Sequence, residues 1–226
     1  MRYPGGKGTT YAKLLNVMPP HSTYVETHLG GGALMRKKRP AARQIGIDVD
    51  AAVMRRWQCD LARDKTLSCE LICADAVEWL QAHPLEPTAL IYADPPYVSA
   101  TRRRDRIYRH DYTDSDHVRL IDCLKSQRCM VMISGYRSDL YDRLLDGWRQ
   151  FSFSAMTHTG VREETVWFNF APPECLHDVH HLGDGFRQRE VFRRRRARLH
   201  DRITRLPTPE QHGLLQWLQV QLGRAQ

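Results

Sequence analysis

The sequence of 226 residues lacks long apolar runs, and none approaches the roughly 20 residues that a transmembrane helix needs. Its first residues, Met1-Arg2-Tyr3-Pro4, also lack the apolar segment of a secretory signal. We therefore expect a cytoplasmic protein that does not span a membrane.

Closely spaced cysteine pairs are missing as well. The chain has six cysteines and no Cys-x-x-Cys pair, and three histidines at 177, 180 and 181 have no partner cysteines at zinc spacing. A bound metal is therefore not expected, and reduced core thiols of a cytosolic protein are the predicted state. The cysteines are Cys59, Cys69, Cys73, Cys123, Cys129 and Cys175.

Acidic residues are outnumbered by basic ones, which gives a net charge of +8. Residues 176–226 hold 10 Arg and 5 acids, a net +5, so the rest of the chain carries +3. This shift predicts two parts, 1–174 and 175–226. A basic segment favours a polyanionic partner, although composition alone fits a solvated helix face equally well.

The remaining pattern is that of an α/β protein. Short apolar runs predict strands at 23–26, 44–48, 71–75, 89–93 and 129–134, and a closing antiparallel pair at 151–156 and 165–170. Helices are expected at 10–17, 33–38, 51–63, 76–82, 114–127 and 138–145. The tail predicts a basic helical hairpin, with one helix from 187 to 205 and a second that begins with Thr208 as N-cap and Pro209 as first helical residue.

The most informative segment is Asp94-Pro95-Pro96-Tyr97, directly after the apolar strand 89–93. The prolines end the strand, because neither can donate to a ladder, and they make the backbone rigid. The Asp94 carboxylate and the Pro95 carbonyl suit the two N–H groups of an aromatic amine, and Tyr97 suits stacking on a base that has been flipped out of a duplex.

Glycines and acids recur at other predicted strand ends. Gly30-Gly31-Gly32 follows the first strand, and Asp48 ends the second, 18 positions after Gly30. An acid about 20 residues beyond such a glycine turn typically binds ribose hydroxyls. Asp75 ends the third strand, where it either accepts from an adenine amino group or caps the next helix. Packing or loop hydrogen bonding is the expected role of His28.

Two basic segments are candidates for contact with a nucleic acid backbone. The first follows Tyr97 and alternates arginines with tyrosines, and the second is the arginine-rich tail helix. The candidate contacts are Arg102, Arg103, Arg104, Arg106, Tyr108, Tyr112, Arg193, Arg194, Arg195 and Arg196.

Over residues 1–170 the order of these motifs resembles the Dam-like N6-adenine DNA methyltransferases. Gly135-Tyr136 and Glu164 with Trp167-Phe168-Asn169 also look like family features. The motifs that carry the resemblance are Pro4-Gly5-Gly6-Lys7, Glu26 before Gly30-Gly31-Gly32, Asp48, and Asp94-Pro95-Pro96-Tyr97.

The resemblance implies a Rossmann-like, AdoMet-dependent methyltransferase with a seven-stranded mixed sheet and helices on both faces. It implies S-adenosylmethionine (AdoMet) as methyl donor and DNA as partner, in a bacterium or phage. Asp94, Pro95, Pro96 and Tyr97 would form the catalytic segment around the flipped adenine. The residues that would surround AdoMet are Tyr3, Gly5, Gly6, Lys7, Glu26, Gly30, Gly32, Asp48, Asp75 and Asp94.

The chain departs from the family at two places. Thr27-His28 stands where the family usually has Pro-Phe, and only 19 positions separate Asp75 from Asp94, which leaves no room for a target-recognition insert. The family's sequence specificity is therefore not carried over, and relaxed specificity is expected. Methylation of adenine in RNA, methylation of cytosine N4, and nucleic acid binding without catalysis remain alternatives, and the sequence fits a monomer and a dimer equally.

Overall fold

The computed structural model describes residue 7 and residues 10–101, 111–157 and 160–223. The chain divides into two compact units, residues 1–178 and 179–226. Within the described residues, no helix is both long and apolar enough to cross a membrane.

The first unit is built on a seven-stranded sheet with the order β3-β2-β1-β4-β5-β7-β6. Strands β1 to β5 run parallel, and β7 runs antiparallel to both β5 and β6. This mixed sheet is the one that the sequence predicts. The strands are β1 Thr23–Glu26, β2 Arg43–Asp48, β3 Glu70–Cys73, β4 Ala89–Ala93, β5 Met130–Gly135, β6 Arg149–Thr157 and β7 Gly160–Phe168.

Helices cover both faces of the sheet, because side chains alternate along each buried strand. Val25 and Ile91 pack with α4, α5 and α6 on one face, whereas Tyr24 and Leu90 pack with α1, α2 and α3 on the other. The helices are α1 Tyr11–Leu15, α2 Ala33–Lys37, α3 Ala51–Arg63, α4 Ala76–Ala82, α5 Asp114–Lys125 and α6 Asp139–Leu144, and a short 3-10 helix covers Ser99–Thr101.

Polar side chains cap these helices as their sequences indicate. Asp50 accepts from the backbone N–H of Ala52 at the start of α3, and Thr113 forms a capping box with Asp116 at the start of α5. Asp50 is therefore the N-cap of α3.

Two predictions about the first unit need correction. The cysteines are not all core thiols, because β3 lies at the edge of the sheet and Cys73 in it is exposed. Cys59 and Cys175 are exposed too, so only some of the thiols belong to the core. The closing strands are longer than predicted, since β6 and β7 pair along their whole length from Arg149–Phe168 to Thr157–Gly160.

The second unit contains two consecutive helices, α7 Phe186–Thr204 and α8 Thr208–Gly223. The predicted N-cap at Thr208 is wrong, because Glu210 and Gln211 both donate their backbone N–H to the Pro207 carbonyl. The Gln211 side chain donates to the Leu206 carbonyl over 2.7 Å.

Candidate active site

Three acids meet at the carboxyl edge of the sheet. Glu26 ends β1, Asp48 ends β2, and Asp94 directly follows β4. Strand β1 lies between β2 and β4, and neighbouring strands are about 4.8 Å apart. The topology therefore gathers acids that are far apart in sequence at one edge, where open α/β sheets bind their ligands.

Asp94 is held through one of its two carboxylate oxygens. Lys7 Nζ and Ser134 Oγ each donate to Oδ1 over 2.8 Å. Because the Ser134 hydroxyl has a single proton, Tyr92 OH is the donor in its 2.9 Å hydrogen bond with Ser134. Within the described parts of the chain, no group donates to Asp94 Oδ2, and the side chain is 18% exposed.

Lys7 supplies a buried positive charge beside this carboxylate. Its Nζ also lies 3.5 Å from Glu164 Oε2 on β7 and donates to the Tyr97 hydroxyl over 2.5 Å. Burial by itself lowers the pKa of Lys7, but the charges around it, with Asp94 first, outweigh burial and raise its pKa overall. Burial raises the pKa of Glu164, although Lys7 opposes this effect.

Tyr97 is buried, with 7% of its surface exposed. Its ring meets Tyr136 edge to face at 4.4 Å, and Arg162 lies 4.8 Å above the Tyr136 ring. Arg162 also donates to the Thr101 carbonyl over 2.6 Å, which ties β7 to the segment after Tyr97. Before it, Pro95 is buried and Pro96 half-buried.

The glycine turn after β1 is braced by two side chains. The Gly30 N–H donates to Asp48 Oδ2 over 2.8 Å, and Trp57 Nε1 donates to the Gly30 carbonyl over 2.9 Å. Gly32 has φ +57°, and a Cβ there would lie 2.1 Å from Trp57 Cζ2. The turn therefore needs glycine for its backbone conformation and for the indole beneath it.

Glu26 is buried and hydrogen-bonded to its neighbours. Its Oε2 accepts from the Tyr24 hydroxyl and from the Met35 N–H, each over 3.1 Å. Burial raises the pKa of Glu26 to about 8 and lowers the pKa of nearby Lys38 to about 7. The structure gives Glu26 a bracing role at the start of α2, and its contact with a ligand stays a prediction.

Asp75 caps α4, one of its two predicted roles. Its Oδ1 accepts from the Glu78 N–H over 3.0 Å, and Arg119 pairs with both of its oxygens over 2.9 and 3.2 Å. Burial tends to raise the pKa of Asp75, but the Glu78 N–H and Arg119 lower it overall.

His28 joins the glycine turn to the start of α5. Its Nδ1 lies 2.9 Å from Thr27 Oγ1, and its Nε2 lies 2.9 Å from the Tyr112 hydroxyl. Burial lowers the pKa of His28 to about 3, so the ring is neutral. The structure thus gives His28 the expected loop hydrogen bonding.

Several predicted site residues lie outside the described residues: Tyr3, Gly5, Gly6, Arg102, Arg103, Arg104, Arg106 and Tyr108. In the second unit, Arg193, Arg195 and Arg196 border a cleft with Phe192 and Leu199. Sequence reasoning missed Ser134, Tyr92 and Arg162, because a serine or tyrosine inside an apolar strand gives no local signal of its partner.

Comparison with known proteins supports the fold. No protein-family model and no curated protein matches the chain. A putative methyltransferase from Streptococcus mutans in complex with SAH is 11% identical, with a TM-score of 0.50 over 70% of this chain and 94% of that chain. Precorrin-6y C5,15-methyltransferase from Geobacter metallireducens is 10% identical, with a TM-score of 0.50 over 73% of this chain and 92% of that chain.

TrmN from Thermus thermophilus is 13% identical, with a TM-score of 0.51 over 72% of this chain and 48% of that chain. At such identities the likeness shows the fold alone. The chain has the Rossmann-like methyltransferase fold, as its sequence predicts.

Proposed function

We propose that the protein binds AdoMet and transfers its methyl group to the N6 amino group of adenine in DNA. The observation that carries this proposal is the hydrogen bonding of the two carboxylate oxygens of Asp94. One carboxylate oxygen is held by Lys7 and Ser134, and the other has no donor among the residues that the structure describes. A rigid acceptor of this kind at the carboxyl edge of the sheet suits an aromatic amine.

The residues at this edge fit AdoMet. Bound AdoMet would supply an electrophilic methyl group on a positively charged sulfur, and a cationic ligand suits an edge that carries the carboxylates of Asp48 and Asp94. Asp48 accepts from Gly30 and from Asp50 N–H, yet its two oxygens have about four lone-pair sites, so they can also accept from ribose hydroxyls. Tyr3, Gly5, Gly6, Lys7 and Asp75 are the further predicted contacts.

Asp94 and Pro95 would orient the amine. The exocyclic nitrogen of adenine is a poor nucleophile, because its lone pair is delocalised into the ring. With Asp94 Oδ2 and the Pro95 carbonyl accepting one N–H each, the nitrogen is drawn towards tetrahedral geometry, and its lone pair is directed away from the two acceptors. Placing nitrogen and methyl carbon in line is a proximity effect worth up to ~7–11 kcal/mol in ideal systems.

Lys7 keeps this acceptor in place. Its ammonium fixes Oδ1, which leaves Oδ2 to the substrate, and its raised pKa keeps the charge at neutral pH. The methylated nitrogen then loses one proton to water. Asp94 needs no role as a general base, because the amine becomes acidic only after the new N–C bond has formed.

The target adenine must leave the duplex to reach Asp94. Tyr97 is the predicted stacking partner, and because its ring is buried, its neighbours have to move before a base can lie against it. Tyr112, the arginines 102–106 and the tail helix are the predicted contacts with the backbone of the nucleic acid.

Transfer of tritiated methyl groups from AdoMet tests the proposal. We expect labelling of DNA, with N6-methyladenine as the product, and sequencing of a defined methylated DNA should reveal relaxed target specificity. If only RNA of the same sequence is labelled, or if N4-methylcytosine is the product, the substrate is RNA or cytosine and not adenine in DNA. If calorimetry detects no binding of AdoMet, the proposed methyl transfer is refuted, and the protein binds nucleic acid without catalysis.

A further inference from the structure

The arginines of α7, together with Arg205 at its C-cap, fall into two groups. Arg193 and Arg194 pair with Glu190, Arg205 pairs with Asp201, and Arg189 and Arg196 donate to backbone carbonyls. The others have no hydrogen bond or ion pair within the described residues. They are Arg187, Arg195, Arg198 and Arg202, and all four are exposed.

The unpaired arginines lie on one face of the helix. At about 100° per residue, Arg195, Arg198 and Arg202 lie about 80°, 20° and 60° around the axis from Arg187. Arg189 and Arg196, which are bonded within the second unit, lie about 160° and 180° away on the opposite side. Arg194 and Arg205 lie on the same side as Arg187, about 20° and 0° from it, but each is paired with an acid. We call the face formed by Arg187, Arg195, Arg198 and Arg202 the open arginine face.

We infer that the open arginine face binds the phosphate backbone of the DNA substrate. Its length is about 22 Å, at 1.5 Å per residue over 15 residues. That distance covers about six phosphates on one strand of a B-form duplex. Four exposed guanidinium groups on one arc repel one another, and a row of phosphates removes this repulsion while releasing counterions. The inference rests on the proposed function for the identity of the polyanion.

The tail residues of the open arginine face differ from the four arginines that the sequence predicts to contact DNA. Of the four arginines that the sequence singles out, Arg193, Arg194 and Arg196 are engaged within the helix unit, and only Arg195 belongs to the open face. The face instead extends along the helix to Arg187, Arg198 and Arg202.

Two triple variants with the same charge change test the inference. R195Q/R198Q/R202Q removes three charges from the open face, and R189Q/R193Q/R196Q removes three from the other side of the helix, about 120–180° from Arg187, where each is bonded to Glu190 or to a backbone carbonyl. Affinity for a 20-base-pair duplex is measured against salt concentration. In a plot of the logarithm of the association constant against the logarithm of the salt concentration, the open-face variant should have a slope about 2.7 smaller in magnitude than wild type, at about 0.9 per phosphate contact. The control should change the slope by less than about 1.

Between 50 and 200 mM salt, the wild-type protein should therefore lose about 40-fold more affinity than the open-face variant. Equal slopes for the two variants, or a wild-type slope in the open-face variant, would overturn the inference. An effect confined to RNA of the same sequence would overturn the choice of DNA. If circular dichroism shows a loss of helix in a triple variant, R198Q against R193Q repeats the comparison, with an expected slope difference of about 0.9.

The proposed function is tested separately in the same proteins. AdoMet affinity should be unchanged in both triple variants, and D94N should keep the wild-type salt slope. A protein that fails to transfer methyl groups but shows the open-face effect would refute the proposed chemistry and leave the DNA-binding face standing.

Discussion

Replacing Asp94 by Asn is the sharpest test of the active-site geometry. The asparagine Oδ1 can still accept from Lys7 and Ser134, so the local network keeps its acceptor. At the position of Oδ2, however, the variant presents an NH₂ group, which donates. An amine that approaches this position meets a donor instead of an acceptor.

The expected loss follows from two contributions. A hydrogen bond to a charged group contributes about 1.5–3 kcal/mol, and an N–H left unpaired in a closed site costs about 1–3 kcal/mol. Together they raise the barrier by about 3–6 kcal/mol, which corresponds to a single-turnover rate about 10²–10⁴-fold lower. AdoMet affinity, measured by calorimetry, shows whether the site is still assembled.

E164Q is the matched control for D94N. It removes the other carboxylate beside Lys7, which lies 3.5 Å from Nζ, by an equally isosteric change. We expect its rate to fall less than 10-fold, as ~1 kcal/mol for a lost contact of this kind implies. A D94N rate within 10-fold of wild type, or equal losses in the two variants, would refute the acceptor argument and point to charge around Lys7 alone.

Three further predictions concern the supports of the site. G32A combines a φ of +57° with a clash against Trp57, so it should lower the free energy of unfolding in urea by more than ~2 kcal/mol. G147A is the control, because Gly147 has φ +81° but open space around it, so that only the backbone cost applies. Equal losses of stability in the two variants would contradict the steric argument. The raised pKa of Glu26, about 8, means that the folded state keeps a proton that the unfolded state releases. Wild-type stability should thus fall relative to E26Q by up to ~1.4 kcal/mol per unit from about pH 5 to about pH 8, and parallel pH curves would refute this. H28F leaves the half-buried Tyr112 hydroxyl without its 2.9 Å partner and should cost ~1–3 kcal/mol in thermal unfolding. Y112F should recover part of this loss in the double variant, and additive losses would show that the pair is not coupled.

Local pattern determined the elements of this protein. Ala89–Ala93 is a continuous apolar run that ends at two prolines, and Asp50 and Asp75 stand directly before helical segments, so strand and caps follow from neighbouring residues. The order of glycines and acids at strand ends indicated the fold and placed Asp48 and Asp94 at one edge of the sheet. These inferences hold because propensity, periodicity and capping act over a few residues.

Tertiary structure decided which groups meet. Lys7 contacts Asp94 across 87 positions, and Ser134 reaches it only because β5 lies beside β4. The edge position of β3 exposes Cys73, and the partners of five arginines on α7 and at its C-cap leave four others together on one face. Strand order and long-range pairing depend on the packing of the whole chain, since the free energy of each such contact is shared among residues that no local pattern connects.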